Sequence, residues 1–378
     1  MSVLSALIAS SQDSVEHFET SYFKLRGELA KQESMAPTWL FIIPIHQCVE
    51  ADVQLPVGFA VQGVPFDLQH WSSATSSIEK EKLRYVEFRA WNRRALPAPQ
   101  FCITSKARGI DARAAWGKVG PAFETFRGIT ELFYGFSRSH HSSPPSPARR
   151  VPHPPWMLMI GGSGGDVFDF TNFLVSEADK QPPSNVPQLC NDLLQTLSLP
   201  VTAAEPNSPN DIRSLIGDAL RLYSQAMDTQ YDHFHVLALW QMAESLTLAS
   251  ESGGDGKIVA RRLASLLKRQ LAVEHAATED ILLAFYERRN VIVHKGEYAY
   301  ADQSDSELLR WSCELCLDWI IEHVHRLATK THLSEFYKLA CADNSKLPLL
   351  ETALSLIKED TVPVYYDRTD PRRDAIAT

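Results

Sequence analysis

Six prolines (Pro182, Pro183, Pro187, Pro200, Pro206 and Pro209) fall between residues 180 and 210, and they divide the chain into two stretches of different texture. Proline ends helices and cannot donate to a sheet ladder, so this segment reads as a linker or strap around one short apolar piece at 193–199. Upstream, apolar residues come in short runs or alternate with charged ones. Downstream they recur every three to four residues. An α+β unit followed by an all-α bundle is the fold class that this order implies.

In the upstream part, residues 1–35 have a helical, polar tone and read as a lead-in helix. Trp39-Leu40-Phe41-Ile42-Ile43, Val57-Gly58-Phe59-Ala60-Val61 and Phe101-Cys102-Ile103-Thr104 read as strands. So does Arg84-Tyr85-Val86-Glu87-Phe88-Arg89-Ala90, where Val86, Phe88 and Ala90 alternate with charged residues. Residues 110–136 return to helical spacing, with Gly117, Gly120 and Pro121 expected to kink or split the helix. Residues 137–155, rich in Ser, Pro, Arg and His, read as a loop without a core. Trp156-Met157-Leu158-Met159-Ile160 reads as a buried strand that ends in the turn Gly161-Gly162-Ser163-Gly164-Gly165-Asp166. That turn lacks the Gly-Lys-Ser/Thr ending of a phosphate loop.

Past the strap, Asp211 reads as an N-cap. Helices are predicted at 211–227, 229–250, 257–272, 278–295, 305–328 and 346–358, with short connections typical of a bundle. The expected organisation is an N-terminal α+β domain (1–179), the Pro-rich linker (180–210), a helical bundle (211–330) and a helical extension with a tail (331–378).

Net charge is −9, which argues against a protein that coats nucleic acid nonspecifically but is compatible with a small basic site. The six cysteines form no disulfide-like framework, which fits a reducing compartment. Cys313 and Cys316 make a C-x-x-C inside a helical pattern with no second pair, so they read as core thiols. His233, His235, His323 and His325 form i, i+2 pairs, which diverge on a helix. No metal and no cofactor are expected. The start of the chain has no basic leader and is too short in apolar residues to span a membrane, so the expected location is the cytosol.

One hexapeptide concentrates chemistry: Arg289-Asn290-Val291-Ile292-Val293-His294. It follows the apolar lead-in Ile281-Leu282-Leu283-Ala284-Phe285-Tyr286. On an α-helix Asn290 and His294 lie one turn apart on the same face, within reach of Arg289. A histidine exchanges protons near neutral pH, an arginine holds phosphate oxygens, and an asparagine can fix the imidazole's orientation or hydrogen-bond the phosphate. Together they can act on a phosphodiester, and in RNA the 2′-hydroxyl supplies the nucleophile. The same residues also suit a plain helix end, because basic groups favour helix C-termini and His294-Lys295-Gly296 resembles a last turn with a glycine cap. On the residues alone both readings stay open.

Arg289-Asn290-x-x-x-His294 resembles the R-x4-6-H signature of HEPN domains. Leu239-Trp240-Gln241-Met242-Ala243-Glu244-Ser245-Leu246 is similar to the Leu-Trp-x-x-x-Glu-Ser-Leu segment of the ApeA-like branch of that superfamily. A Gly-rich break, a helix with Leu263, Leu266 and Leu267, and then the Arg-Asn helix follow in the same order. The resemblance spans about residues 205–330. It implies a metal-independent endoribonuclease, with His294 as general acid or base, Arg289 on the phosphate and Asn290 positioning the imidazole or the phosphate. It also implies RNA (tRNA or mRNA) as substrate, a homodimer with a composite site, and a role in prokaryotic antiviral defence with a phage-derived trigger or regulatory protein.

Around the motif, Glu244 lies in an apolar stretch and needs a cationic partner, for which Arg288 and Arg289 are the candidates. Arg261, Arg262, Lys268, Arg269 and Lys295 are expected to guide an RNA backbone; a solvated helix face explains Arg261, Arg262, Lys268 and Arg269 equally well. The helix at 305–328 carries more apolar surface than one bundle face requires, in mild support of a dimer.

Overall fold

The most apolar strand, β1 (Thr38–Ile45), lies inside a six-stranded sheet of order β2-β3-β4-β1-β5-β6, in which every pairing is antiparallel. The computed structural model describes residues 35–45, 49, 52–78, 80, 83, 99–138, 157–161, 167–169, 189–228, 232–249, 251, 255–271, 274–295 and 303–341. The expected lead-in helix, the strand at 84–90, the Gly-rich turn at 162–166 and the helix at 346–358 lie outside these residues, as does nearly all of the loop at 137–155.

β1 is apolar at successive positions because both faces of the sheet are covered. Phe41, Ile43 and Ile45 face the main core, whereas Ile42 joins Trp71, Ile78, Cys102 and Leu158 in a second cluster. β4 (Phe101–Arg108) pairs along the whole of β1, from Thr38↔Arg108 to Ile45↔Phe101. β2 (Val57–Val61) and β3 (Val64–His70) form a hairpin. Its turn residues Gln62 and Gly63 have φ of 49° and 79°, the left-handed geometry that matches the strand twist. β3 was not expected, because Pro65 breaks its pattern. The chain tolerates that proline because the pairing of β3 with β4 begins only at Asp67. α1 (Trp71–Ala74), β5 (Leu158–Ile160) and β6 (Val167–Asp169) complete this part.

α2 (Ala112–Arg138) is one uninterrupted helix despite Pro121, so the expected split does not occur. It lies on the sheet through ring contacts: Phe41 with Trp116 at 5.4 Å and Phe59 with Phe126 at 5.6 Å. Each such buried ring contributes about 1.5–3 kcal/mol. The other side of α2 meets α5 (Ile212–Asp228), whose buried residues recur at helical spacing from Ile212 to Met227. The two backbones touch at Gly128, where a Cβ would stand 2.1 Å from the Leu220 carbonyl oxygen. Arg127, 2 % exposed, binds Asp228 through both Nη atoms (2.9 and 2.5 Å) and Glu124 at 2.7 Å. Burial alone lowers the pKa of this guanidinium, but Asp228 and Glu124 outweigh that and raise it.

The Pro-rich segment is not simply a linker. It carries α3 (Asn191–Leu197) and α4 (Pro200–Ala203), with Leu193, Leu194 and Leu197 buried in the main core. That core runs from the sheet through α2 into the helices beyond. Asp211 caps α5 as expected, accepting from the Arg213 N–H at 2.9 Å.

α6 (Asp232–Leu248) packs against α5, α7 (Gly256–Leu271), α8 (His275–Asn290), α9 (Gln303–Glu322) and α11 (Lys330–Ala340). Its central position explains why Trp240, Met242, Ala243 and Leu246 are all fully buried, whereas Phe234 at its start is half exposed. α10 (Val324–Leu327) follows a break at His323 in what had been expected as one helix over 305–328. Cys313 and Cys316 are core thiols on the buried side of α9, and burial pushes Cys316 up to about 12. Among the described residues no helix is long and apolar enough to cross a membrane.

Candidate functional site

α8 packs on α7 and α6 and buries only Leu282 and Phe285 among its sixteen residues. Its C-terminal end continues as a π-helical turn over Val291–Lys295. Such turns are rare and concentrate at functional sites. Here the turn changes the geometry expected from an α-helix. In the wider turn the fourth residue on no longer stacks above its predecessor, and the His294 imidazole makes no hydrogen bond to any described residue. Its side chain is exposed, as are those of Val293 and Lys295.

Arg289, by contrast, is held. Its Nη1 donates to Asn290 Oδ1 at 3.1 Å, and its Nη2 stands 3.9 Å from Glu244 Oε1. The same Glu244 oxygen accepts from Trp240 Nε1 at 2.8 Å. Trp240 is fully buried, so the chain Trp240–Glu244–Arg289–Asn290 runs from the core to a half-buried guanidinium. Of the two candidate partners for Glu244, the ion pair forms with Arg289. Arg288 lies instead over the Phe285 ring at 5.7 Å. Asn290 Oδ1 accepts from the arginine, and no hydrogen bond joins Asn290 to the imidazole.

Two residues that sequence reasoning missed support this chain. The Tyr286 ring stands 5.7 Å from that of Trp240, and Gly256, at the start of α7, allows the approach. A Cβ on Gly256 would lie 2.2 Å from the Tyr286 ring. Gly256 was legible only as a helix breaker, since nothing in one sequence says which ring a glycine faces.

The basic residues do not converge as expected. α7 and α8 run antiparallel: Gly256 meets Tyr286, Arg261 Nε meets Glu279 Oε1 at 3.4 Å, and Ser265 meets His275 at 3.0 Å. Glu279 precedes Arg289 by ten residues, about 15 Å along a helix. Arg261 therefore sits well away from the Arg289 end, and Lys268, exposed one turn beyond Ser265, farther still. The backbone of Arg269 follows it along α7. Arg262 is internal at 6 % exposure. It donates to the Thr247 carbonyl at 2.8 Å and to Glu251 Oε2 at 2.9 Å, and it stands 5.7 Å from the Tyr337 ring centroid. It closes the C-terminal end of α6 and has no surface to offer RNA. Of Arg261, Arg262, Lys268 and Lys295, Lys295 alone remains beside His294.

Among the described residues no group of three or more His, Cys, Asp or Glu side chains is arranged to hold a metal ion. No family model, curated protein or solved structure matches the chain.

Proposed function

We propose that this chain is a metal-independent endoribonuclease of the HEPN type, as its resemblance to the ApeA-like branch suggests. The observation that carries the reading is the anchorage of Arg289. A guanidinium fixed on one side by Glu244 and Asn290 keeps further N–H donors for the oxygens of a phosphate, and fixed donors stabilise charge that grows in the transition state. His294, five residues on in the π turn, is accessible to a polymer. It takes the proton of the 2′-hydroxyl as that oxygen attacks phosphorus, or gives one to the departing 5′-oxygen. The products carry a 2′,3′-cyclic phosphate and a 5′-hydroxyl. The ribose supplies the nucleophile, so the scheme needs neither metal nor cofactor.

One histidine performs one of the two proton transfers. His294 of a second copy supplies the other if two α8 helices meet. The exposed apolar residues Ile281 and Val293 (46 % and 50 % exposed) on the same helix and its π turn favour such a meeting. In this reading the sheet-containing part senses a trigger, such as a phage product, and acts on the bundle through α2 and α5.

A second reading, a non-catalytic HEPN module that binds RNA or dimerises, is favoured by one observation: no described residue orients His294. End-group mapping of RNA incubated with the chain in excess EDTA separates the two. New cyclic-phosphate and 5′-hydroxyl ends support the nuclease; bound but intact RNA supports the module.

A further inference from the structure

At the opposite end of α8 from Arg289, four side chains from α7, α8 and the residue after α11 form a second hydrogen-bonded group. Ser265 of α7 stands with its Oγ 3.0 Å from His275 Nε2 and 3.3 Å from Cys341 Sγ. His275 Nδ1 faces Glu279 Oε2 one turn along α8 at 3.6 Å, and the other Glu279 oxygen faces Arg261 Nε at 3.4 Å. His275 is fourteen residues, about 21 Å, from Arg289, so this group takes no part in the site above.

A serine inside a helix ordinarily satisfies its hydroxyl on the carbonyl four residues back, as Ser312 does with Leu308 at 2.8 Å. Ser265 instead bridges a thiol and an imidazole. One donor order satisfies all four groups. The His275 Nδ1–H points to the Glu279 carboxylate, Nε2 accepts from the Ser265 hydroxyl, and Ser265 Oγ accepts from the Cys341 thiol. Moving both protons one place toward the imidazole reverses the order. An imidazolium then donates to Ser265, whose hydroxyl donates to a thiolate, and Glu279 stabilises the new positive charge. The pattern is that of nucleophile, base and orienting carboxylate, with a serine inserted as relay.

Access decides which atom reacts. Ser265 is 5 % exposed and lies within a helix, whereas Cys341 is partly exposed and follows the last residue of α11. A thiolate is also a far stronger nucleophile than a serine hydroxyl. Tyr337, which Cys341 influences electrostatically, has its hydroxyl on Cys316 Sγ at 3.4 Å and stays outside the relay.

We infer that Ser265, His275, Glu279 and Cys341 form a second nucleophilic centre, in which the Cys341 thiolate adds to soft carbon electrophiles of the α,β-unsaturated carbonyl class. The sulfur forms a bond to the β-carbon, the carbon–carbon π bond breaks, and the imidazolium proton, passed by way of Ser265 or water, ends on the α-carbon. Thiol and alkene are consumed one for one, and no oxidant or reductant enters.

The test is the rate of acrylamide addition at Cys341, read by peptide mass spectrometry on the full chain, with glutathione in the same tube as an ordinary thiol. The expected rate at pH 7 exceeds that of glutathione by about ten-fold or more, and it changes little with pH where that of glutathione rises steeply. Ser265→Ala and the isosteric Glu279→Gln should each lower it several-fold and restore the steep pH dependence. A wild-type rate equal to that of glutathione would overturn the inference without recourse to any variant. So would wild-type rates in both variants.

Discussion

Trp240 donates its indole N–H to Glu244 across one turn of α6, at 2.8 Å, and the oxygen that accepts it is the one facing Arg289. A buried ring thereby helps to set the position of a guanidinium through the carboxylate between them. Trp240→Phe keeps the ring in the core and deletes the donor. A hydrogen bond to a charged group is worth about 1.5–3 kcal/mol, so RNA cleavage should fall by about ten-fold or more while the thermal midpoint drops by only a few degrees. Cleavage rates and a melting curve on the same preparation check this. An unchanged rate would mean that Glu244 needs no help from Trp240.

Gly256→Ala should destabilise the chain although alanine is the better helix former by about 1 kcal/mol. The new methyl group would overlap the Tyr286 ring at 2.2 Å, and overpacking of this kind costs about 1–3 kcal/mol. Urea unfolding gives the sign directly. A stabilised variant would show that Tyr286 moves aside freely.

Arg262 and Arg261 are adjacent in sequence and opposite in role. Arg262→Ala leaves the Thr247 carbonyl without its buried donor and removes one partner of Glu251, which keeps Ser334 and Lys338, so a loss of about 1–3 kcal/mol is expected. Arg261→Ala, at an exposed ion pair, should cost no more than about 1 kcal/mol. RNA affinity measured by filter binding should change little in Arg261→Ala and Lys268→Ala, since both lie toward the far end of α7. A strong loss there would restore them to the RNA path.

Asp211 makes part of the stability depend on pH. The Arg213 side chain, helped by the N–H groups of Asn207 and Arg213, lowers its carboxyl to about 2 against the opposing effect of burial. A carboxyl whose pKa is lower in the folded chain stabilises at pH above its unfolded value, about 3.9. That contribution disappears as pH falls through about 2. Asp211→Ala should cost about 1–2 kcal/mol at pH 7 through the lost cap, and the difference from wild type should shrink in acid. Chemical denaturation at pH 7 and near pH 3 measures both.

Much of the helical part was legible because its period is strong. The face of α5 that reads Ile212, Leu215, Ile216, Ala219, Leu220, Tyr223 is the buried one, and Asp211 caps it where a cap was expected. The demand of Glu244 for a cation was also legible, and Arg289 meets it. Three kinds of feature were not. β3 hides behind Pro65, because one sequence does not show where ladder pairing begins. α3 is seven residues long, too short for a helical period to stand out between prolines. The π turn at Val291–Lys295 leaves no trace in the pattern, so a rule that places Asn290 above His294 missed how the turn carries His294 away. Spacing likewise grouped Arg261, Arg262 and Lys268 with the motif, whereas the antiparallel course of α7 and α8 sends Arg261 and Lys268 toward the other end and Arg262 into the core.

The most direct test of the nuclease assignment is single-turnover cleavage of a single-stranded RNA and of total tRNA in excess EDTA by wild type, His294→Ala and Arg289→Ala, at concentrations where two copies associate. General acid–base catalysis contributes about 100-fold or more, so each variant should lose at least that much activity while retaining the wild-type melting midpoint within a few degrees. Wild-type cleavage should leave 2′,3′-cyclic phosphate ends. Cleavage by folded His294→Ala or folded Arg289→Ala at the wild-type rate would contradict the assignment.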